Sequence, residues 1–208
     1  LQEPFFLGAG IFQPHLPNYA PQEYFDRFPL DEIKLPEGYR ENDLGDVPAA
    51  HARMAHNPWL KRIRATNQWK PAIQAYLACT AMVDDLIGQI VEALEESDYA
   101  DNTIIVLWSD HGFQLGEKER WAKYSLWERA TRVNLIWVAP GVTQPGATTS
   151  KPVNLLDIYP TLAALTELEP PEGQLEGNDL SVLMKNPDAA WDDTTVTTFG
   201  YKNYGVRS

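Results

Sequence analysis

The sequence predicts an α/β fold with a mainly parallel sheet, and three observations support this prediction. Residues 103–108 and 133–139 are apolar, rich in β-branched residues and without alternation, as is typical of strands covered on both faces. Apolar side chains recur at helical spacing from residue 71 to about residue 97. Strand-like and helix-like segments alternate along the chain, which favours the α/β class.

The amino-terminal part of the chain predicts one strand followed by a long loop. Residues 4–10 read as a short buried strand, and the prolines that follow end it. Residues 18–57 show no sustained period, and we interpret the wider segment 18–69 as a long substrate-side loop, with a helical turn near residues 21–28. Ordered loops of this length are often functional.

The elements after the long helix are shorter. Residues 98–102 form a predicted turn that leads into the first apolar strand. Asp157 is placed to cap a helix over residues 158–168, in which Pro160 falls in the first turn and is tolerated. Residues 194–200 read as a strand, and "YGVRS" at the end of the 208 residues can begin another.

Composition and charge exclude several classes of partner. Seventeen Lys and Arg residues against 29 Asp and Glu residues give a net charge of −12, which disfavours nucleic acid and anionic membranes. The sequence contains no apolar stretch of about 18 residues, so no membrane span is predicted. The single cysteine, Cys79, cannot form an intrachain disulfide and lies in the long helix, where packing is expected of it.

A candidate cation site follows the first apolar strand. Asp110 and His111 come just after residues 103–108, and ligands of open α/β sheets bind beyond the carboxyl ends of strands. A carboxylate and an imidazole can hold a cation there, and Gly112 lets the backbone turn away. A helix cap beside a hydrogen-bonded histidine is the alternative interpretation.

Residues 117–132 carry a local positive excess in an acidic chain. The five cations are Lys118, Arg120, Lys123, Arg129 and Arg132, against three glutamates. Such cations stabilise negative charge on a transferred group, so they indicate an anionic substrate. A solvated helix with salt bridges is the alternative, although the aromatic residues Trp121, Tyr124 and Trp127 disfavour it. We group Trp121 with Lys118 and Arg120 as substrate-binding candidates.

Histidines elsewhere give one further candidate. His15 lies in "QPHLP", where Pro14 and Pro17 hold the backbone extended, and a histidine can protonate a leaving oxygen. A loop histidine bonded to a carbonyl is the alternative. We interpret His51 and His56 as surface histidines and the adjacent carboxylates Asp84 and Asp85 as structural or solvated.

Four segments together resemble the sulfatase family of the alkaline-phosphatase-like fold, in particular its iduronate-sulfatase and choline-sulfatase-like branch. They are "PFFLGAGIFQPHLP", "YLACTAMVDDLIGQIVEAL", "NTIIVLWSDHGFQLGEKERWAKYSLWERATRVNLIWVAPGV" and "LLDIYPTLAAL". The resemblance implies a divalent cation, usually calcium, held by Asp110 and His111. It also implies that Lys123 contacts the sulfate oxygens and that His15 lies near the sulfate or the leaving oxygen. Lys118 stands where many relatives have histidine.

The family's nucleophile motif is absent from these residues. Sulfatases use a formylglycine made from Cys or Ser in a Cys/Ser-x-Pro/Ala-x-Arg motif, and neither Cys79 nor any serine here begins one. We therefore expect the chain to be the middle-to-late part of a sulfatase domain, with apolar sheet edges that the missing part or a second copy covers.

The resemblance implies a sulfated small molecule or glycan as substrate and, by family habit, an exported protein. A phosphoesterase or phosphonate hydrolase of the same fold is the first alternative to sulfate ester hydrolysis. A catalytically inert fragment is the second.

Overall fold

The computed structural model describes residues 4–49, 52, 57–171 and 173–208. The chain divides into two compact units. The first comprises the residues up to Ala100 together with Leu115–Trp121, and the second comprises Asp101–Gln114 together with Ala122–Ser208. Within the described ranges, no helix has the length and apolar character that a membrane crossing requires.

The first unit is helical. The α-helices whose bounds the described residues give are α1 (Gln22–Asp26), α2 (Pro58–Ala65) and α3 (Trp69–Glu95). The predicted long helix is thus confirmed as α3, and the predicted helical turn is confirmed as α1. The interpretation of residues 18–69 as one loop is wrong at α2, because Asn57 caps a helix there. Its Oδ1 accepts hydrogen bonds from the N–H groups of Trp59 and Leu60, at 2.9 and 3.3 Å.

Helix α3 forms the centre of the core in this unit. Ile73, Ala78 and Cys79 are buried along it, together with Leu60 of α2. Burial raises the pKa of the Cys79 thiol, which fits the packing role predicted for this residue. Further along the same helix, Asp85 pairs with Arg27 at 2.7 Å, so its predicted structural role is confirmed.

The predicted strand at residues 4–10 is wrong. The described part of this segment has no regular secondary structure, and Phe6 and Leu7 are 87% and 70% exposed. A strand requires a hydrogen-bonded neighbour, and among the described residues no strand pairs with it. Apolar composition alone therefore did not determine its conformation.

The second unit contains both predicted apolar strands, now β1 (Ile105–Trp108) and β4 (Leu135–Val138). They pair with each other antiparallel, with Ile105 opposite Val138 and Trp108 opposite Leu135. The parallel direction predicted for this pair is wrong, because apolar composition reports burial and not strand direction. The prediction that both faces of these strands are covered is also wrong for the described residues. Trp108, Ile136 and Val138 are 50%, 51% and 47% exposed.

A cluster beneath β4 anchors this unit. Leu180, Leu183 and Met184, in and next to α6 (Ser181–Lys185), are buried and pack against Leu135 and Trp137 of the strand. Among the described residues of the whole chain, the other strands and α-helices are short: β2 (Gln114–Leu115), β3 (Trp121–Ala122), α4 (Glu128–Thr131), α5 (Ile158–Thr166), β5 (Thr195–Thr198) and β6 (Tyr204–Arg207). Single 3-10 turns lie at Ala100–Asn102, Glu117–Glu119 and Leu155–Asp157. Strands β5 and β6 pair antiparallel, which confirms the strand predicted at residues 194–200 and the further strand predicted to begin at "YGVRS".

Asp157 precedes α5 as predicted, but its carboxylate makes no capping bond to that helix. The side chain is completely buried and accepts two other backbone hydrogen bonds. Oδ2 accepts from the N–H of Asn154 at 2.7 Å, and Oδ1 accepts from the N–H of Asn178 at 2.8 Å. Asp157 therefore caps the helical segment one turn earlier than predicted, because it forms a capping box with Asn154 on the 3-10 turn Leu155–Asp157 that leads into α5. Its other oxygen holds the loop at Asn178.

We expect Asp157→Ala to lower the free energy of unfolding by about 2 kcal/mol or more, because it leaves two backbone donors without an acceptor. Urea denaturation of the chain measures this change. Asp188→Ala is the control, because Asp188 is exposed and no hydrogen bond to its side chain is found among the described residues, and it should change stability by less than about 0.5 kcal/mol. Equal urea midpoints for the two variants would contradict the expectation.

Candidate functional site

The candidate site begins where β1 ends. Ser109 donates its N–H to the carbonyl of Asn134 at 3.3 Å, and Gly112 donates its N–H to the carbonyl of Ala130 at 2.9 Å. A Cβ atom at Gly112 would lie 2.1 Å from the carbonyl oxygen of Arg129, so only glycine fits this close approach. The backbone on both sides of Asp110 and His111 is therefore fixed.

His111 lies between two hydrogen-bonding groups. Its Nδ1 is 2.8 Å from the carbonyl oxygen of Gly112, and its Nε2 is 2.8 Å from Nζ of Lys123. A carbonyl only accepts hydrogen bonds and an ammonium only donates them. We therefore assign the neutral ring with the proton on Nδ1, so that the lone pair of Nε2 accepts from Lys123.

Asp110 completes a group of three side chains. Its Oδ2 is 3.7 Å from Nε2 of His111, and its side chain is 83% exposed, against 29% for His111. The structure therefore brings together three residues that the sequence singled out separately: Asp110, His111 and Lys123. All three lie in the second unit.

The donor atoms of this group fit a hard divalent cation in part. The Asp110 carboxylate offers the oxygen ligands that calcium prefers, whereas the lone pair of His111 Nε2 is directed at Lys123. Calcium takes about six to eight oxygen ligands. In the part of the chain that the structure describes, no three His, Cys, Asp or Glu side chains converge as a metal site. Asp110 can hold such a cation only together with ligands from outside these residues.

A buried polar pair next to the site was not predicted from the sequence. Gln114 is completely buried, and its Oε1 accepts a hydrogen bond from the Ser125 hydroxyl at 2.6 Å. The bond joins the segment that carries His111 to the segment that carries Lys123. A glutamine between Phe113 and Leu115 was the available signal, since an amide in an apolar setting needs a partner.

The other predicted substrate-binding residues lie in the first unit and are engaged with the protein. Lys118 Nζ is 2.8 Å from Oδ1 of Asp43, and the Lys118 N–H donates to Oδ2 of the same carboxylate at 3.2 Å. Arg120 and Trp121 are only 5% and 3% exposed, and burial lowers the pKa of the Arg120 guanidinium. The segment is a buried turn and not a solvated helix, and contact of these three residues with substrate stays a prediction.

His15 also lies in the first unit, in a turn and not in the extended backbone predicted for it. Its N–H donates to the carbonyl of Phe12 at 3.2 Å, because the proline-rich segment folds back on itself. Its Nδ1 is 2.7 Å from the carbonyl oxygen of Leu16, the contact expected of a loop histidine. Its proton-donor role stays a prediction. His51 and His56 lie outside the described residues.

The fold of this chain matches solved sulfatase structures, which places it in the alkaline-phosphatase-like α/β class. A sequence model of the sulfatase family matches residues 1–168, which is well over half of the chain. The chain therefore belongs to the sulfatase family, and the resemblance seen in its motifs is confirmed.

Individual relatives agree with this assignment. A sulfatase of Formosa agariphila is 40% identical over 99% of this chain, which corresponds to 41% of the relative. Human iduronate 2-sulfatase is 31% identical over 81% of the chain and 37% of its own length. A solved structure from Bacteroides fragilis, described as the sulfatase YidJ, is 26% identical with a TM-score of 0.71, over 94% of this chain and 41% of that one. The chain thus spans about two fifths of the relatives it matches.

Proposed function

We propose that the protein containing this chain hydrolyses the sulfate monoester of a carbohydrate, and that this chain supplies sulfate and cation contacts for the reaction. The observation that carries the proposal is the 2.8 Å contact between Lys123 Nζ and His111 Nε2, beside Asp110 at the end of β1. The sulfatase family and the iduronate 2-sulfatase relative support a sulfated sugar as the substrate.

Lys123 would hold the sulfate group. Its ammonium has three protons, and the contact with His111 uses one of them. A lysine ammonium can also donate to sulfate oxygens, where a fixed positive charge stabilises the negative charge that develops in the transition state. His111 positions the ammonium, because its own Nδ1 is fixed on the Gly112 carbonyl.

Asp110 would be this chain's ligand to a divalent cation. We propose calcium because the sulfatase resemblance implies it, and a carboxylate oxygen is a ligand that calcium accepts. When bound, such a cation neutralises negative charge on the ester and on its attacking group. His111 is the second predicted ligand, and it could take that role only if Lys123 moved away from its Nε2.

His15 would protonate the departing alcohol. Its Nδ1 is held by the Leu16 carbonyl, so Nε2 is the nitrogen that would give up a proton from the protonated ring. The attacking group is not Cys79, since that thiol is completely buried and burial raises its pKa. In the sulfatase family that group is a formylglycine.

The test uses the full-length enzyme, meaning this chain joined to the remaining sequence that its relatives carry. We expect aryl sulfate hydrolysis to stop in the presence of EGTA and to return with calcium. Asp110→Asn should raise the calcium concentration that restores half of the activity by at least about tenfold, because it removes a ligand charge.

Asp101→Asn is the matched control, since it removes an exposed carboxylate of the same unit and should leave the calcium requirement unchanged. Full activity in EGTA would contradict the cation proposal. Absence of any sulfate release from the calcium-loaded enzyme would contradict sulfate ester hydrolysis itself.

A further inference from the structure

The first unit contains a cleft of about 310 Å³ beside α2 that the proposed reaction does not use. Leu44 and Leu60 supply apolar lining, and Leu60 is only 2% exposed. Three charged side chains also line the cleft, namely Lys61, Arg64 and Glu119. The volume is at the small end of ligand pockets, which fits a ligand the size of one sugar ring.

The charge on α2 indicates the sign of the ligand. This helix carries Lys61, Arg62 and Arg64 and no carboxylate, in a chain whose net charge is −12. Lys61 and Arg64 have no carboxylate or hydrogen-bond acceptor for their side chains among the described residues. Two cations that face a cleft, and that have no carboxylate partner among the described residues, favour an anionic ligand.

Arg64 is fixed in place by aromatic rings. Its guanidinium lies 4.6 Å from the centre of the Trp69 ring and 5.4 Å from that of Tyr39, and the two rings meet edge to face. Trp69 is itself held by a 2.8 Å hydrogen bond from Nε1 to the Leu115 carbonyl. Because these cation–π contacts use no hydrogen-bond acceptor, the N–H groups of Arg64 can still donate to a carboxylate or sulfate.

Glu119 reaches the cleft from an unusual backbone turn. Lys118 and Glu119 both have positive φ angles, 50° and 54°, a conformation that non-glycine residues adopt only where their surroundings hold them. The 2.8 Å pair between Lys118 and Asp43 provides that hold. A carboxylate at this position can accept hydrogen bonds from sugar hydroxyls.

We propose that this cleft binds an acidic sugar unit of the substrate. Lys61 and Arg64 bind its carboxylate or sulfate group, Leu44 and Leu60 contact the apolar face of its ring, and Glu119 accepts from its hydroxyl groups. The proposal rests on the proposed function in one respect, namely that the substrate is a carbohydrate. It adds that this carbohydrate carries an acidic group besides the ester that is hydrolysed.

The test is calorimetric titration of the chain with a sulfated, uronate-containing tetrasaccharide. We expect Lys61→Gln/Arg64→Gln to raise the Kd at least tenfold, and Lys61→Gln alone, which breaks no contact seen in the structure, to raise it severalfold. Arg62→Gln removes the same charge from the same helix without lining the cleft, and it should change the Kd less than twofold. If a desulfated tetrasaccharide binds equally well, Lys61 and Arg64 bind the carboxylate of the sugar. If the desulfated tetrasaccharide no longer binds, they bind its sulfate group.

Equal weakening by Arg62→Gln and by the double variant would overturn the proposal, because it would show attraction by general charge. Absence of binding to the unaltered chain would overturn it too. Turnover of p-nitrophenyl sulfate by the full-length enzyme separates this proposal from the proposed function, since the small ester should not require Lys61 or Arg64. A cleft that binds the tetrasaccharide in a protein that cleaves no sulfate ester would contradict the proposed function alone.

Discussion

Lys123→Ala should lower the kcat of the full-length enzyme for an aryl sulfate by about 10²–10³-fold, the usual loss when one fixed donor to a developing anion is removed. The variant removes the ammonium that lies 2.8 Å from His111 Nε2. Because the donor acts on charge that develops in the transition state, kcat should fall more than KM rises. Steady-state kinetics measures both constants.

Lys185→Ala is the control for Lys123→Ala, since Lys185 is an exposed lysine of the same unit and should leave the kinetics unchanged. Thermal melts of both variants show whether the fold is intact. A second readout is the His111 ring, whose Nε2 nitrogen resonance should shift when its donor is lost. A Lys123→Ala enzyme with more than half of the original kcat would contradict the role of Lys123.

Gly112→Ala should destabilise the chain by about 3 kcal/mol, at the upper end of the usual cost of overpacking. The new Cβ would lie 2.1 Å from the Arg129 carbonyl oxygen and 3.1 Å from that of Arg132. These are backbone atoms, which cannot move aside as a flexible side chain can. Relief of the clash would disturb the Gly112–Ala130 hydrogen bond and displace His111. Denaturant unfolding measures the loss.

Gly88→Ala is the matched control for Gly112→Ala. Gly88 lies within α3, and a Cβ atom there would meet no atom within 4 Å beyond the backbone of its own helix. Alanine should therefore stabilise the chain by about 0.5–1 kcal/mol through helix propensity. A Gly112→Ala chain as stable as the original would show that the loop after β1 is adaptable. It would also contradict the view that this loop fixes the position of His111.

Helical periodicity predicted α3, and short runs of apolar, β-branched residues predicted β1 and β4, because burial leaves a local trace in the order of residues. Strand direction leaves no such trace, and the antiparallel pairing of β1 with β4 was not predicted. Helix α2 was missed although Asn57 and Pro58 form a recognisable start, because the surrounding segment shows no sustained period.

The site could be predicted from the sequence where its residues lie close together along the chain. Asp110 and His111 follow an apolar strand, and Lys123 lies in a basic segment twelve residues beyond His111. The partner of Lys118 was not predictable, because Asp43 is 75 residues away in sequence. Burial of Arg120 was also not predictable, since an arginine among charged residues looks exposed until tertiary packing encloses it.

The most direct test of the central claim compares an aryl sulfate with the aryl phosphate of the same alcohol in the calcium-loaded full-length enzyme. We predict a higher kcat/KM for the sulfate, and a loss of about 10²-fold or more in that value on Lys123→Ala. A higher kcat/KM for the phosphate, or sulfate turnover that does not depend on Lys123, would contradict the assignment of Asp110, His111 and Lys123 to a sulfate ester site.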